Sequence, residues 1–167
     1  MTARCARLSM AKPLVFLMGR SPAFLPVDRR YARNHMWAMD LGHGFRFGLS
    51  AYAARLLGDV RHLQWSVAPG ASVDRGSAIG YVEASKATSD LVAPIDGRVE
   101  ALHGEVLANP SLVNSAPYDA GWLLCIAGEG VGLLSPEEYL AHLEAVWPLA
   151  QRLLKGQAGG GGEAPRR

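Results

Sequence analysis

The stretch "GYVEASKATSDLVAPIDG", residues 80–97, decides how the rest of the chain is read. The overlapping run "SAIGYVE" and the run "DLVAPI" have the short apolar character of strands, and small residues holding Lys86 lie between them. This pattern predicts a hairpin with Lys86 at an exposed tip. The choice of lysine is unusual, because only Lys12, Lys86 and Lys155 are lysines among 17 basic side chains. A guanidinium does not readily serve as an acylatable amine, whereas a lysine ε-amine accepts covalent modification. Lys86 is therefore read as kept for its chemistry and not for its charge.

Outward from the tip, "PGASVDRGSAIGYVE" and "APIDGRVEALHGEVL" echo one another, each coupling a Gly-containing turn to a strand. Two similar halves meeting at a hairpin predict a flattened β sandwich. Upstream, "HMWAMDL" and "GFRFGLS" flank Gly42-His43-Gly44 and read as a second hairpin. "SAYAARLLG" predicts a short helix, with Ser50 as N-cap and Gly58 as the stop. "DVRHLQWSV" returns to strand, and "GRVEALHG" continues the sheet. "NPSLVN" predicts a helical turn capped by Asn109 with Pro110 at its first position. "GWLLCI" closes the β region, with Trp122, Leu124 and Ile126 on one face by alternation. From Ser135 the period changes. Ser135 and Glu138 form a capping box, and Leu140, Leu143, Trp147, Ala150 and Leu154 make a helical stripe that Pro148 should kink.

The organisation expected is an N-terminal extension of unassigned order at 1–24, a β domain at 25–130, a helix at 131–155 and a flexible Gly-rich tail at 156–167. The formal charge of +2 is too small and scattered to indicate nucleic acid, and Arg4, Arg7, Arg20, Arg29, Arg30 and Arg33 read as solvated surface. "LVFLMG" is too short to span a bilayer, so no membrane association is expected. The basic-then-apolar shape of the first residues leaves organelle targeting open. Cys5 and Cys125 offer neither a disulfide framework nor a metal spacing, which suits a reducing compartment. His35, His43, His62, His103 and His142 show no metal-ligand spacing, and Trp37, Trp65, Trp122 and Trp147 read as core.

"YARNHMW", "GDV", "PGASVDRG", "YVEASKATSD", "APIDGRV" and "NPSLVNSAPYDAGWLL" follow one another in the order seen in the glycine cleavage system H protein, and the resemblance runs from about Tyr31 to Ile126. It implies a mainly β, barrel-sandwich hybrid fold with a C-terminal helix. It also implies lipoic acid held covalently on Lys86, with Glu83, Ser85, Ala87 and Asp90 as the attachment hairpin. Asn34, His35, Met36 and Leu56 would line a cleft for the arm, and no residue would be catalytic or bind metal. The implied partners are the glycine-decarboxylating protein, the aminomethyltransferase, dihydrolipoamide dehydrogenase and a lipoyl-attaching enzyme, in a bacterial-type cytoplasm. The carrier would pass an aminomethyl group between them.

Two positions depart from the family pattern. The family typically has His-Glu-Trp where this chain has His35-Met36-Trp37, and a polar residue is common where Leu56 stands. Other readings therefore stay open: an H-like lipoate carrier for another pathway such as sulfur oxidation, an unmodified interaction module of the same fold, and, less favoured, a biotinylated domain.

Overall fold

The computed structural model describes residues 11–160, with side chains followed to residue 153. Cys5, Arg4, Arg7, the Leu154 side chain and the last part of the Gly-rich tail lie outside the described residues. The strands are β1 (Leu14–Met18), β2 (Ser21–Leu25), β3 (Arg30–Tyr31), β4 (Met36–Asp40), β5 (Gly44–Leu49), β6 (Val60–Trp65), β7 (Ser72–Val73), β8 (Ala78–Ala84), β9 (Thr88–Val92), β10 (Gly97–Leu102) and β11 (Leu124–Ala127). The helices are α1 (Ala51–Leu57), α2 (Gly104–Ala108), α3 (Leu112–Ser115) and α4 (Pro136–Gly160).

A six-stranded sheet, ordered β3-β4-β5-β11-β10-β7, faces a three-stranded sheet, β6-β8-β9. Alternation along the strands sends Met36, Ala38, Phe47, Leu49, Leu124 and Ile126 from the first sheet toward Leu63, Ile79, Val82 and Leu91 from the second. This is the flattened sandwich expected, and it is not closed into a barrel. Gly48 has a specific role on the other face of the large sheet. A Cβ there would lie 2.6 Å from the Trp37 indole, so its absence lets that ring lie flat across the strand. Trp37 then donates its Nε1–H to Pro117 O at 2.7 Å.

A second apolar cluster fills the space under α4, combining Phe16, Met18, Ala23 and Leu25 with Tyr31, Tyr52, Tyr139 and Leu143. Its first four members come from the antiparallel hairpin β1–β2, an element that the sequence reading left unassigned. The hairpin buries one face there and leaves Val15, Leu17 and Phe24 exposed on the other. α4 begins with the expected capping box: the Ser135 N–H donates to Glu138 Oε1 at 2.8 Å, and the Glu138 N–H donates to Ser135 Oγ at 3.1 Å. It runs through Pro148 and into the Gly-rich stretch as far as Gly160. Elongating an existing helix costs far less than nucleating one.

Some local expectations are corrected. Trp122 precedes β11 and does not share a core face with Leu124 and Ile126; it is half-buried, stacked on His103 at 4.0 Å between centroids. The strand starts later because residues 116–121 form a turn in which the Trp122 N–H already donates to Asp119 O. Asn109 does not cap a helix: α3 starts after Ser111, and the Asn109 Oδ1 accepts from the Ser111 hydroxyl instead. "GEVLA", within a stretch read as turn and strand, forms α2.

His35 joins the two clusters. It holds φ 75, a left-handed conformation that few residues other than glycine, Asn and Asp adopt. Its Nδ1 lies 2.9 Å from the Tyr139 hydroxyl, which lies 2.9 Å from Ser50 Oγ, the N-cap of α1. The chain of donors closes when Ser50 donates to Tyr139 and Tyr139 to a neutral His35. Burial first, and His142 second, hold the His35 pKa down at about 4 instead of 6.5. Between these values the unfolded chain binds a proton that the folded chain refuses. Stability is therefore full above pH 6.5 and falls as pH drops toward 4, by up to about 3 kcal/mol. His35→Asn tolerates the same backbone and removes this titration. The difference between the urea-denaturation profiles of wild type and variant should change across that window; parallel profiles would contradict the assignment.

Candidate functional site

The β8–β9 ladder ends at the pair Glu83 and Thr88, and the Ala84 N–H donates to Ala87 O at 2.9 Å to close the turn. Ser85 and Lys86 stand exposed at the tip. Ala87 is half-buried and packs on the main core. The turn is not free-standing. The Lys86 N–H donates to Leu57 O and the Ser85 N–H to Asp59 O, both at 2.9 Å. In return Ser85 Oγ accepts from the Asp59 N–H at 2.9 Å. Leu57 O belongs to the last turn of α1, where helix carbonyls lack intrahelical partners, so the lysine turn satisfies an orphan acceptor.

Gly58 makes the contact possible. Its φ of 80 suits glycine, and a Cβ would lie 2.3 Å from Ser85 Oγ and 2.9 Å from Lys86 Cγ. The lysine stem thus lies across the helix end. α1 is fixed at its other end by Ser50, whose Oγ accepts from the Ala53 N–H at 3.2 Å, as the sequence predicts. The open groove at the foot of the lysine, about 380 Å³, is lined by Arg55, Gly58, Asp59, Ser85, Lys86 and Asn114 among others.

A second hollow, of about 150 Å³, is lined in part by Leu56 and Leu57 of α1. Its lining brings together Asn34, His35, Met36, Leu56 and Asp90, residues scattered through the sequence. Most of the wall is apolar, with Leu49, Ala53, Val82 and Leu91 completing it. Met36 is 1% exposed and belongs to the main core as much as to the cleft. Asn34 is already engaged: its Nδ2 donates to Val92 O at 2.9 Å, and its Oδ1 accepts from the Met36 N–H at 3.3 Å. His35, neutral near pH 7, turns its Nδ1 to Tyr139. Asp90 is thus the charged side chain of the cleft. Glu83 lies outside the lining, exposed beside the tip. A larger open hollow of about 510 Å³ lies by Arg29, Arg30 and Ser135, away from Lys86.

Sequence reading missed Asn114, which bridges Gly58 and Val60 from α3. The only available signal was its place in the "NPSLVN" run. It also saw Gly58 as a helix stop without its contact to the lysine stem.

The chain is similar to known proteins over most of its length. A family model described as "Glycine cleavage H-protein" matches residues 29–146. The chain is 39% identical over 127 residues to the glycine cleavage system H protein of Mycolicibacterium vanbaalenii, covering 71% of this chain and 96% of the relative. It is 37% identical to the glycine cleavage system H protein 2, mitochondrial, of Arabidopsis thaliana, over 70% of this chain and 77% of the relative. The crystal structure of the H protein from Mycobacterium marinum superposes with a TM-score of 0.65 at 31% identity, covering 72% of this chain and 99% of that one. The β1–β2 hairpin precedes the stretch matched by the family model. With the matched stretch containing the lysine hairpin, α1 and the cleft, the chain belongs to the glycine cleavage H-protein family.

Proposed function

We propose that this chain is the lipoyl carrier of a glycine cleavage system, with lipoic acid joined in amide linkage to Lys86. The observation that supports this reading best is an exposed lysine at a turn whose backbone is pinned to a helix end. An attaching enzyme must take the ε-amine into a confined site, and a firm turn with small neighbours at Ser85 and Ala87 presents it without obstruction. The apolar cleft beside Leu57 suits an alkyl arm, so the residues present fit the group. When bound, the dithiolane supplies disulfide exchange and group carriage. The chain's own part is to hold the attachment point outward and to raise the arm's effective concentration at each partner. The proposed partners are the glycine-decarboxylating protein, the aminomethyltransferase, dihydrolipoamide dehydrogenase and a lipoyl-attaching enzyme. The carrier itself performs no catalytic step.

Lys86→Arg keeps the charge and the backbone bonds but loses the acylatable amine. Incubated with a lipoate ligase, lipoate and ATP, wild type should gain one lipoyl group and the variant none, with equal melting temperatures. Modification of the variant would refute Lys86 as the site. Ala87→Trp should slow attachment more than Glu83→Gln, because Ala87 adjoins the tip and packs on the core whereas Glu83 is exposed. The reverse order would mean that charge beside the lysine is read before shape.

A second reading, a lipoate carrier for another pathway, draws support from Met36. A buried thioether leaves Asp90 as the charge in the cleft, and an unpaired amine in apolar surroundings is costly. The two readings separate in a glycine–bicarbonate exchange assay with a glycine-decarboxylating protein. Measurable exchange with lipoylated wild type supports glycine cleavage, and its absence supports the second reading. Met36→Glu should raise the exchange rate while lowering stability, because a carboxylate at this buried position costs more than a neutral polar group. No gain in exchange would show that the cleft needs no further acid.

A further inference from the structure

The turn that carries Lys86 has little to hold it in place by itself. Ser85 and Lys86 are exposed, Ala84 and Ala87 are only partly buried against the core, and the hairpin ladder has ended at Glu83 and Thr88. Its direction is set from outside, by the segment Leu57–Val60. That segment is in turn the end of a short helix passing through a glycine with positive φ, which has few conformational restraints of its own.

The geometry points to Asn114 as the positioning residue for the lysine; the functional meaning rests on Lys86 being the attachment site. Asn114 Nδ2 donates to Gly58 O at 2.8 Å, and Asn114 Oδ1 accepts from the Val60 N–H at 2.9 Å. One planar amide thus clamps the backbone on both sides of Asp59, the residue that exchanges hydrogen bonds with Ser85. Its neighbour Val113 is fully buried, which ties α3 to the main core. The connection runs from Val113 to Asn114, to Gly58 and Val60, and across Asp59 and Leu57 to the amides of Ser85 and Lys86. Asn114 also borders the groove at the foot of the lysine.

The chemistry selects the amide. A carboxylate retains an acceptor for the Val60 N–H but sets a negative oxygen against the Gly58 carbonyl. An alanine leaves both backbone groups without their partner. Either change should release the platform at the start of β6 while the rest of the sandwich stays intact. An attaching enzyme then meets a lysine whose stem samples several directions. Small misplacements of a reacting group are known to cost large factors in rate.

The test uses the full chain, purified without lipoate, as wild type, Asn114→Asp, Asn114→Ala and Ser111→Ala. Ser111 lies on the same helical segment, but its hydroxyl donates to Asn109 and does not touch the platform. Attachment by a lipoate ligase is measured as kcat/KM, alongside backbone ¹⁵N relaxation and thermal unfolding. The two Asn114 variants should lose about tenfold in kcat/KM. Their order parameters at Ser85 and Lys86 should fall from about 0.85 toward 0.6, while those of β5 and β11 stay unchanged. Ser111→Ala should keep wild-type kinetics. Unchanged kinetics and unchanged Lys86 mobility in the folded Asn114→Asp protein would overturn the proposal, as would equal losses in Ser111→Ala. If Asn114→Ala does not fold, Asn114→Asp decides. If wild type accepts no lipoate, the carrier reading fails, and the relaxation data still decide whether Asn114 holds the turn.

Discussion

The Lys86 N–H bonded to the Leu57 carbonyl is the contact on which the site depends. A helix end normally leaves its last carbonyls to water or to a glycine cap. Here one of them is taken by a hairpin from the opposite sheet, so the lysine turn and α1 behave as a single unit. The sandwich supplies the distance over which they meet: β6 and β8 pair as far as Val60 and Ala84, leading the helix end and the turn to the same edge. Without that register the lysine would project from a loose loop, and the groove at its foot would lose the wall that the helix end supplies.

The other end of α1 is secured by different chemistry. Ser50 caps the helix and shares a buried hydroxyl pair with Tyr139 from α4, with His35 beyond it. Tyr31 stacks on Tyr139 at 4.5 Å between ring centroids, and Phe16 packs edge-on against Tyr52 and Trp147. The C-terminal helix and the N-terminal hairpin therefore act through α1, and not through direct contact with the tip. Apolar burial and edge-to-face aromatic contacts supply the stability of that layer. The polar groups fix its orientation.

Local features could be read from the sequence. The Ser50 cap, the Gly58 stop, the Ser135–Glu138 capping box and the strands flanking Lys86 each depend on residues a few positions apart, where spacing carries the information. The resemblance to the H-protein family then grouped Asn34, His35, Met36 and Leu56 in one cleft, and the structure adds Asp90 from the attachment hairpin. Other features were hidden for physical reasons. The β1–β2 hairpin follows a basic segment and so had the outline of a leader, and its partners lie at the far end of the chain. Asn114 meets Gly58 across 56 positions and His35 meets Tyr139 across 104, with no periodicity to announce either contact. Trp122 was misplaced because alternation was extended back from a strand that starts only at Leu124.

The central claim is that the pinned tip exists to present one amine for acylation. Peptide mass mapping of the full chain from cells with active lipoylation tests it most directly. The account predicts a lipoyl group on the peptide containing Lys86, with the peptide containing Lys12 unmodified. An unmodified Lys86 in cells where other lipoyl proteins are fully loaded would contradict it.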